Sequence, residues 1–183
     1  MPDNSRTYPI TLSGVHRELP FVRPTPNTLL PFVEFLGDVE LTTAGARALL
    51  PLVPSDSEFL FTCETSSLPL VHVLAELSGL SYEVARKRRR PYMQDPLIQE
   101  VDSMTFGVGE TLWLSRVRAA HLKGKRVAIV LDVIASGGTL SALEKMTIAA
   151  GGVPCARLAV FTYGDHSIPG SFVQQLPLLH NEE

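Results

Sequence analysis

One stretch in the second half of the chain constrains the fold more than any other. Residues 127–131 form a continuously apolar run that leads to the acidic Asp132, and the adjacent glycines Gly137–Gly138 follow shortly after. A short apolar run of this kind is typical of a strand buried on both faces of a parallel sheet. Leu140–Met146 has the pattern of an amphipathic helix, which Gly151 closes. The order strand, glycine turn, helix indicates an α/β fold.

The glycine turn also has the composition of an anion-binding site. Glycines let backbone N–H groups approach an anion closely, and the helix N-terminus adds the positive end of its dipole. Ser136 and Thr139 can add hydroxyl hydrogen bonds, and Asp132 stands at the carboxyl end of the strand, where open α/β sheets bind their ligands. The turn lacks the lysine of a P-loop and the glycine spacing of a dinucleotide fingerprint. A helix start that uses glycine only for close packing is the alternative, and the carboxylate and hydroxyls favour phosphate binding.

The segment Val130–Thr139 resembles the phosphoribosyl-pyrophosphate (PRPP) motif of type I phosphoribosyltransferases. That motif consists of an apolar strand, two acidic residues, two apolar residues, a small residue, Thr or Ser, Gly-Gly, and Thr or Ser. The matching positions are Asp132, Ala135, Ser136, Gly137, Gly138 and Thr139. Leu131 stands in place of the first acidic residue.

The resemblance implies a role for each part of this motif. Ala135–Thr139 would bind the 5′-phosphate of PRPP through backbone amides and hydroxyls. Asp132 would be the catalytic carboxylate, which accepts hydrogen bonds from a ribose hydroxyl and stabilises positive charge on the sugar. Val133 and Ile134 would form an apolar wall against the base.

A second strand–turn–helix unit precedes the motif. Ser57–Thr62 predicts a buried strand, and Leu68–Leu77 predicts a helix that stops at Gly79. In the family the turn between these elements lies against the pyrophosphate of PRPP. The resemblance therefore implies that Ser66 and Ser67 bind pyrophosphate.

The strand predicted over Leu80–Arg86 leads into a basic run. Arg86–Arg90 holds five of the 16 Lys and Arg residues in a chain whose formal net charge is −3. A solvated face and nucleic-acid binding are the alternatives, and the lack of a second basic cluster disfavours nucleic acid. Adenine phosphoribosyltransferases carry an Arg-Lys pair at the end of this strand. The resemblance therefore assigns Arg86 and Lys87 to the pyrophosphate.

The segments Ile98–Phe106 and Glu110–Ser115 predict a hairpin around Gly107 and Gly109. In the family a mobile loop at this place closes over the reacting centre and excludes water. Adenine phosphoribosyltransferases carry a Glu two residues before the loop glycine. Thr105 occupies the matching position, and its hydroxyl cannot act as a general acid or base near neutral pH.

The whole chain, residues 1–183, is expected to form a single phosphoribosyltransferase domain. The resemblance implies the type I phosphoribosyltransferase fold, an α/β fold with a mainly parallel central sheet flanked by helices. The proline-rich residues 1–35 predict short extended pieces, and together with residues 166–183 they would form a small hood over the base. Thr42 is predicted to be the N-cap of a helix that Pro51 ends.

Composition excludes several other classes of protein. No run of about eighteen apolar residues is present, so a membrane span is not expected. The polar N-terminus lacks the apolar core of a signal peptide, which favours a cytoplasmic location. Cys63 and Cys155 lack metal-ligand spacing and are predicted to be reduced thiols.

The resemblance implies a reaction of purine salvage, in which the 5-phosphoribosyl group of PRPP is transferred to a purine nitrogen and pyrophosphate is released. Adenine is the expected acceptor. Mg²⁺ would bridge pyrophosphate and ribose oxygens through substrate and water, with no direct protein ligand. A homodimer without a nucleic-acid or membrane partner is expected. The alternative, favoured by Leu131, is a non-catalytic PRPP- or nucleotide-binding regulator with the same fold.

Overall fold

A computed structural model describes residues 3–101, 109–164 and 169–180. The helices are α1 (Val39–Leu49), α2 (Ser67–Ser78), α3 (Arg116–Ala119) and α4 (Gly138–Ala149), with single 3₁₀ turns at Leu50–Leu52 and Ala120–Leu122. The strands are β1 (Asp3–Leu12), β2 (Val15–Thr25), β3 (Thr28–Pro31), β4 (Phe59–Cys63), β5 (Ser81–Ala85), β6 (Leu97–Val101), β7 (Glu110–Leu114), β8 (Arg126–Ile134), β9 (Val153–Tyr163), β10 (Ser171–Leu176) and β11 (Leu179–His180).

Five of the strands form a central sheet in the order β10-β9-β8-β4-β5, and every neighbouring pair is parallel. Helix α2 connects β4 to β5, and α4 connects β8 to β9. These are the two strand–turn–helix units that the sequence predicts. The α/β class with a parallel central sheet flanked by helices is therefore confirmed.

Side chains that alternate along β8 divide the core between the two faces of the sheet. Val127, Ile129 and Leu131 pack in one apolar cluster with residues of α4. Ala128 and Val130 pack in the other, with residues of α1 and α2. Both faces are covered, which explains why the strand is apolar at every position from Val127 to Leu131.

A second, smaller sheet contains strands from both ends of the chain, in the order β1-β2-β3-β11, with antiparallel pairing throughout. It is joined to the central sheet by Tyr163 at the end of β9, whose hydroxyl donates to the carbonyl of Pro31 at 2.6 Å. This sheet corresponds to the expected small hood, but of the described residues in the predicted hood segment 166–183 only β11 belongs to it, because β10 pairs with β9 at the edge of the central sheet.

The strands β1 and β2 are 10 and 11 residues long, so the prediction of only short extended pieces was wrong. Pro9 lies on an edge strand, where the missing N–H is tolerated. Pro20 and Pro24 lie near irregularities of the strand register. Irregular pairing accommodates prolines that a regular ladder excludes.

The prediction that Thr42 caps α1 was also wrong. The helix begins earlier, and Asp38 is its N-cap, accepting from the backbone N–H of Leu41 at 2.9 Å. Arg17 of β2 donates to the same carboxylate at 2.7 Å, and this hydrogen bond lowers the pKa of Asp38. The Thr42 hydroxyl donates instead to the carbonyl of Phe35 at 2.9 Å.

The hairpin predicted around Gly107 and Gly109 is present as the antiparallel pair β6 and β7, and the residues that join the two strands, 102–108, lie outside the described ranges. Arg86 joins the hairpin to β5 through two backbone hydrogen bonds with Trp113, at 2.8 and 2.7 Å. Within the described residues, every helix is too short or too polar to cross a membrane.

Candidate functional site

A cavity of about 480 Å³ lies at the carboxyl ends of the central strands. Most of its wall comes from the turn after β4, the end of β8 with the turn that follows it, and the small sheet with the segment after β3, and Lys87 after β5 and Tyr163 of β9 complete it. Ligands of open parallel sheets bind at this edge. The cavity therefore coincides with the place at which the sequence predicts a site.

The turn after β8 presents unpaired backbone donors to the cavity. Gly137 adopts the left-handed conformation with φ of +81° and is the N-cap of α4, whose first backbone hydrogen bond runs from Ser141 N to Gly137 O at 2.9 Å. No side chain of the described residues caps this helix end. The N–H groups of its first turn are thus left for a ligand, and the helix dipole favours an anion there.

The turn after β4 presents a second helix N-terminus. Ser66 is the N-cap of α2 and makes no capping hydrogen bond with its side chain, and Thr65 and Ser66 both line the cavity. The Glu64–Thr65 peptide bond is cis. Because β4 and β8 are adjacent parallel strands, the two turns lie side by side. Two helix N-termini therefore open on one cavity, an arrangement suited to a ligand with two anionic groups.

Asp132 lies between these two turns and is held by Ser67. Asp132 lies on the same face of β8 as Ala128 and Val130, which is the face that α2 covers. Its side chain therefore contacts Ser67, the first residue of α2. The Ser67 hydroxyl donates to Asp132 Oδ1 at 2.8 Å and accepts from the backbone N–H of Asp132 at 3.0 Å. Ser67 is buried, and Asp132 is 9% exposed and lines the cavity. The carboxylate is thus fixed in direction and reaches the cavity wall.

Leu131 belongs to the opposite face of β8. It is 3% exposed and packs in the apolar cluster with α4, although part of it lines the cavity. Alternation along a strand sends neighbouring side chains to opposite faces. Val133 and Ile134, the predicted apolar wall, also line the cavity.

The two residues of the predicted Arg-Lys pair, Arg86 and Lys87, lie in different environments. Lys87 lines the cavity, and its ammonium pairs with Glu110 at 2.8 Å on the surface. Arg86 does not line the cavity; its guanidinium pairs with Glu64 Oε1 at 2.7 Å. The backbone N–H of Lys87 donates to the other oxygen of Glu64 at 3.1 Å. Glu64 thus fixes the end of β5 against the turn after β4.

The structure brings most of the predicted site residues together in this cavity: Ser66, Lys87, Asp132, Val133, Ile134, Ala135, Ser136, Gly137, Gly138 and Thr139. Ser67 and Arg86 are the two that do not line it; Ser67 is buried, and Arg86 lines a separate pocket with Tyr92 and Met93. Their binding to pyrophosphate stays a prediction. Thr105, the predicted counterpart of a loop glutamate, lies outside the described residues.

Sequence reasoning expected residues 1–35 near the base but named none of the side chains that line the cavity from the segment after β3. Phe32, Glu34 and Leu36 line the cavity from this segment, and Tyr163 lines it from β9. Burial, with a smaller effect of the nearby Asp132 charge, raises the pKa of Tyr163, so its hydroxyl stays protonated. One signal was present in the sequence: Glu34 is the single charged residue between Arg23 and Asp38.

The two cysteines are free thiols, as predicted. Cys63 ends β4 and is buried, and burial raises the pKa of its thiol to about 12. A thiolate is needed for nucleophilic reaction, so Cys63 is not a nucleophile near neutral pH.

The acidic residues of the cavity are compatible with a metal ion that is bound mainly by a substrate. Within the described ranges, no three His, Cys, Asp or Glu side chains come together as metal ligands. Of the described residues, Asp132 and Glu34 are the two acidic ones that line the cavity, and Asp132 is the one beside the glycine turn. One carboxylate combined with phosphate oxygens and water is a usual donor set for Mg²⁺.

Comparisons with known proteins relate the chain to purine phosphoribosyltransferases, although no protein-family model matches it. It is 31% identical over 108 residues to a hypoxanthine/guanine phosphoribosyltransferase of Methanosarcina acetivorans, a match that covers 59% of this chain and 53% of that relative. The enzyme with the same name from Methanocella paludicola is 26% identical over 163 residues, which covers 89% of this chain and 78% of the relative. The chain thus spans about half the length of the first relative.

Solved structures of adenine phosphoribosyltransferases share the fold. The enzyme from Rhodothermus marinus superimposes with a TM-score of 0.65 at 21% identity, covering 86% of this chain and 93% of the other. The enzyme from Thermoanaerobacter pseudethanolicus gives 0.61 at 21% identity, covering 70% and 73%. The fold is therefore that of the type I phosphoribosyltransferases. Within that fold class, the chain is similar in sequence to hypoxanthine/guanine phosphoribosyltransferases.

Substitution of Ser67 by alanine should destabilise the protein. Both Asp132 Oδ1 and the Asp132 backbone N–H would lose their buried partner. Leaving buried polar groups unpaired costs about 1–3 kcal/mol. Urea unfolding of Ser67→Ala should show this loss in the free energy of unfolding. Ser66→Ala is the matched control, since its side chain makes no capping bond, and an equal loss in both variants would contradict this role of Ser67.

Proposed function

We propose that this protein transfers the 5-phosphoribosyl group of PRPP to a nitrogen of a purine base and releases pyrophosphate. One observation carries the proposal: two helix N-termini and a fixed carboxylate meet at a single cavity that also has an apolar wall. PRPP has two phosphate-bearing ends on one sugar, and a purine has two apolar faces. The cavity offers a complementary surface to each of these parts.

The two turns take the two anionic ends of PRPP. The backbone amides of Ala135–Thr139, with the hydroxyls of Ser136 and Thr139, bind the 5′-phosphate. The N-terminus of α2 at Ser66 and the ammonium of Lys87 bind the pyrophosphate. Lys87 is free to exchange Glu110 for the phosphate, because a half-exposed ion pair contributes little stability. The predicted roles of Arg86 and Ser67 at the pyrophosphate belong to the same proposal.

Asp132 acts at the sugar. Its carboxylate accepts a hydrogen bond from a ribose hydroxyl and stabilises positive charge that develops on the ring as the bond to pyrophosphate breaks. The electron pair of that bond leaves with pyrophosphate, the base nitrogen forms the new bond to C1′, and the proton of that nitrogen passes to solvent. Val133 and Ile134 pack against the base. Mg²⁺ would be held through substrate oxygens and water, and it would supply charge that neutralises pyrophosphate.

The relatives and the structural neighbours are named for different acceptor bases. Curated relatives are named for hypoxanthine and guanine, whereas the structural neighbours are named for adenine, which is also the base that the Arg86–Lys87 resemblance favours. A purine-salvage enzyme of the cytoplasm, active as a homodimer, is the corresponding biological proposal. Light scattering of the purified chain tests the homodimer.

A non-catalytic regulator that binds PRPP is the second candidate function. The observation that favours it is Leu131, which fills with a buried apolar side chain the position of the first motif carboxylate. The site then has one carboxylate for the ribose.

The test of the proposed function mixes the protein with PRPP and Mg²⁺ and adds one base at a time, adenine, hypoxanthine, guanine or uracil. Pyrophosphate release is followed by a coupled assay, and PRPP binding is measured by calorimetry without base. Release with a purine and none with uracil is the expected result. Binding of PRPP without release for any base would establish the regulator instead, and no binding would overturn both.

A further inference from the structure

The cavity wall from the small sheet and the segment after β3 contains one charged residue. The other lining residues from this region are Val22, Pro24, Leu30, Phe32, Val33 and Leu36, all apolar. Glu34 lies among them and lines the same cavity. Glu34 is exposed and hydrated, and its carboxylate would lose that hydration when a ligand covers the apolar wall. A ligand that binds against this wall therefore needs a hydrogen-bond donor that replaces the lost water.

The Glu34 carboxylate has hydrogen-bonding capacity left for such a group. Its Oε1 accepts from the backbone N–H of Leu36 at 3.3 Å, a contact that holds the side chain toward its own segment. In the described part of the chain no Lys, Arg or His forms an ion pair with it. Glu34 is exposed where it lines the cavity, so its remaining lone pairs are open to a ligand, and they accept only from hydrogen-bond donors.

The carboxylate is unsuited to the phosphates of a ligand and suited to its base. The anion-binding groups come from the turns after β4 and β8, whereas Glu34 comes from the apolar wall of the small-sheet side. A carboxylate repels phosphate, so the two ends of the cavity select opposite ends of a nucleotide. A planar base packed against Phe32 and Leu36 would present its polar edge to Glu34.

Purines differ in the donors on that edge. Guanine carries N1–H and an adjacent 2-amino group, two donors in one plane that a single carboxylate can accept together. Hypoxanthine keeps the N1–H donor. Adenine offers a single donor group, its 6-amino group, beside an acceptor lone pair at N1 that a carboxylate repels.

We propose that Glu34 is a specificity-determining residue that selects 6-oxopurines, guanine foremost, over adenine. The inference rests on the proposed function, because it assumes that the cavity binds a purine nucleotide. It departs from adenine, the acceptor that the Arg86–Lys87 resemblance favours.

The test measures nucleotide binding and needs no turnover. Calorimetry compares GMP, IMP and AMP on the wild-type chain and on Glu34→Gln. Wild type should bind GMP about tenfold to a hundredfold more tightly than AMP, the range that a hydrogen bond to a charged group supplies. The glutamine amide can donate to N1 of adenine and accept from its 6-amino group. The ratio of the GMP to the AMP affinity should therefore fall at least about tenfold in Glu34→Gln.

Glu76→Gln is the matched control, because Glu76 is an exposed carboxylate on α2 outside the cavity wall. Its affinity ratio should equal that of wild type. Equal or tighter binding of AMP by wild type, or an unchanged ratio in Glu34→Gln, would overturn the inference and leave the proposed function standing. Failure of all three nucleotides to bind would overturn the inference together with the proposed function.

Discussion

Replacing Gly137 with alanine is expected to weaken PRPP binding about tenfold to a hundredfold, the effect of losing one or two hydrogen bonds to a charged group. Gly137 adopts φ of +81°, a conformation that alanine populates at a cost of about 1–2 kcal/mol. The turn relieves this strain by moving the backbone N–H groups that it presents to the cavity. These N–H groups bind an anion only while they point to the same place. The affinity for PRPP therefore falls when the substitution changes their directions. Calorimetric titration with PRPP and Mg²⁺ measures the change.

Gly151 provides the control for this substitution. It has the same φ of +81°, follows the other end of α4 and does not line the cavity. A Cβ added there meets the Lys123 side chain at 3.4 Å, an ordinary contact. Gly151→Ala should therefore lose a similar free energy of unfolding and keep the PRPP affinity of wild type. Equal PRPP affinity in the two variants would show that the glycine turn is structural and does not bind the substrate.

The parts of the fold that the sequence predicts well are those set by local patterns. The apolar run 127–131 became β8, and the helix predicted over Leu140–Met146 became α4. The helix starts two residues earlier than predicted, because Gly137 is its cap and Gly138 its first residue. Hydrophobic periodicity identifies a strand or a helix, and its ends depend on backbone angles that the pattern does not contain.

Contacts between distant parts of the chain could not be predicted in this way. Ser67 was assigned to pyrophosphate by its place in the turn, whereas its hydroxyl is bonded to Asp132, 65 residues away. Asp38 rather than Thr42 caps α1, with Arg17 of the small sheet holding the carboxylate. Each of these contacts depends on how two elements pack, and packing is decided by the whole core.

Glu34 shows the same limit at the candidate site. It belongs to no motif, and its neighbours in the chain are apolar residues whose pattern indicates an extended segment. Only the pairing of the small sheet and its attachment to β9 through Tyr163 bring this segment to the cavity. A short motif locates the phosphates of a ligand, whereas the surface for a base is assembled from separate segments.

Asp132→Asn is expected to lower the turnover number by about a hundredfold to a thousandfold, the usual loss when one preorganised electrostatic group is removed. Asparagine keeps the shape of the side chain, and its carbonyl oxygen can still accept from Ser67. The substitution removes the negative charge that would face the sugar as positive charge develops. PRPP affinity should also fall, because the amide nitrogen cannot accept a hydrogen bond from a ribose hydroxyl. Steady-state kinetics and PRPP calorimetry measure the two effects.

A loss of activity in Asp132→Asn can be distinguished from a loss of stability. Asp132 is 9% exposed and already satisfied on one side by Ser67, so the isosteric change should leave the free energy of unfolding within about 1 kcal/mol of wild type. Asp56→Asn is the control: it removes an exposed carboxylate that pairs with Arg126 on the surface, and activity should not change. If Asp132→Asn binds PRPP and turns over as wild type does, Asp132 has no part in the site. If wild type itself does not turn over, the loss of PRPP affinity alone decides whether this carboxylate meets the ribose.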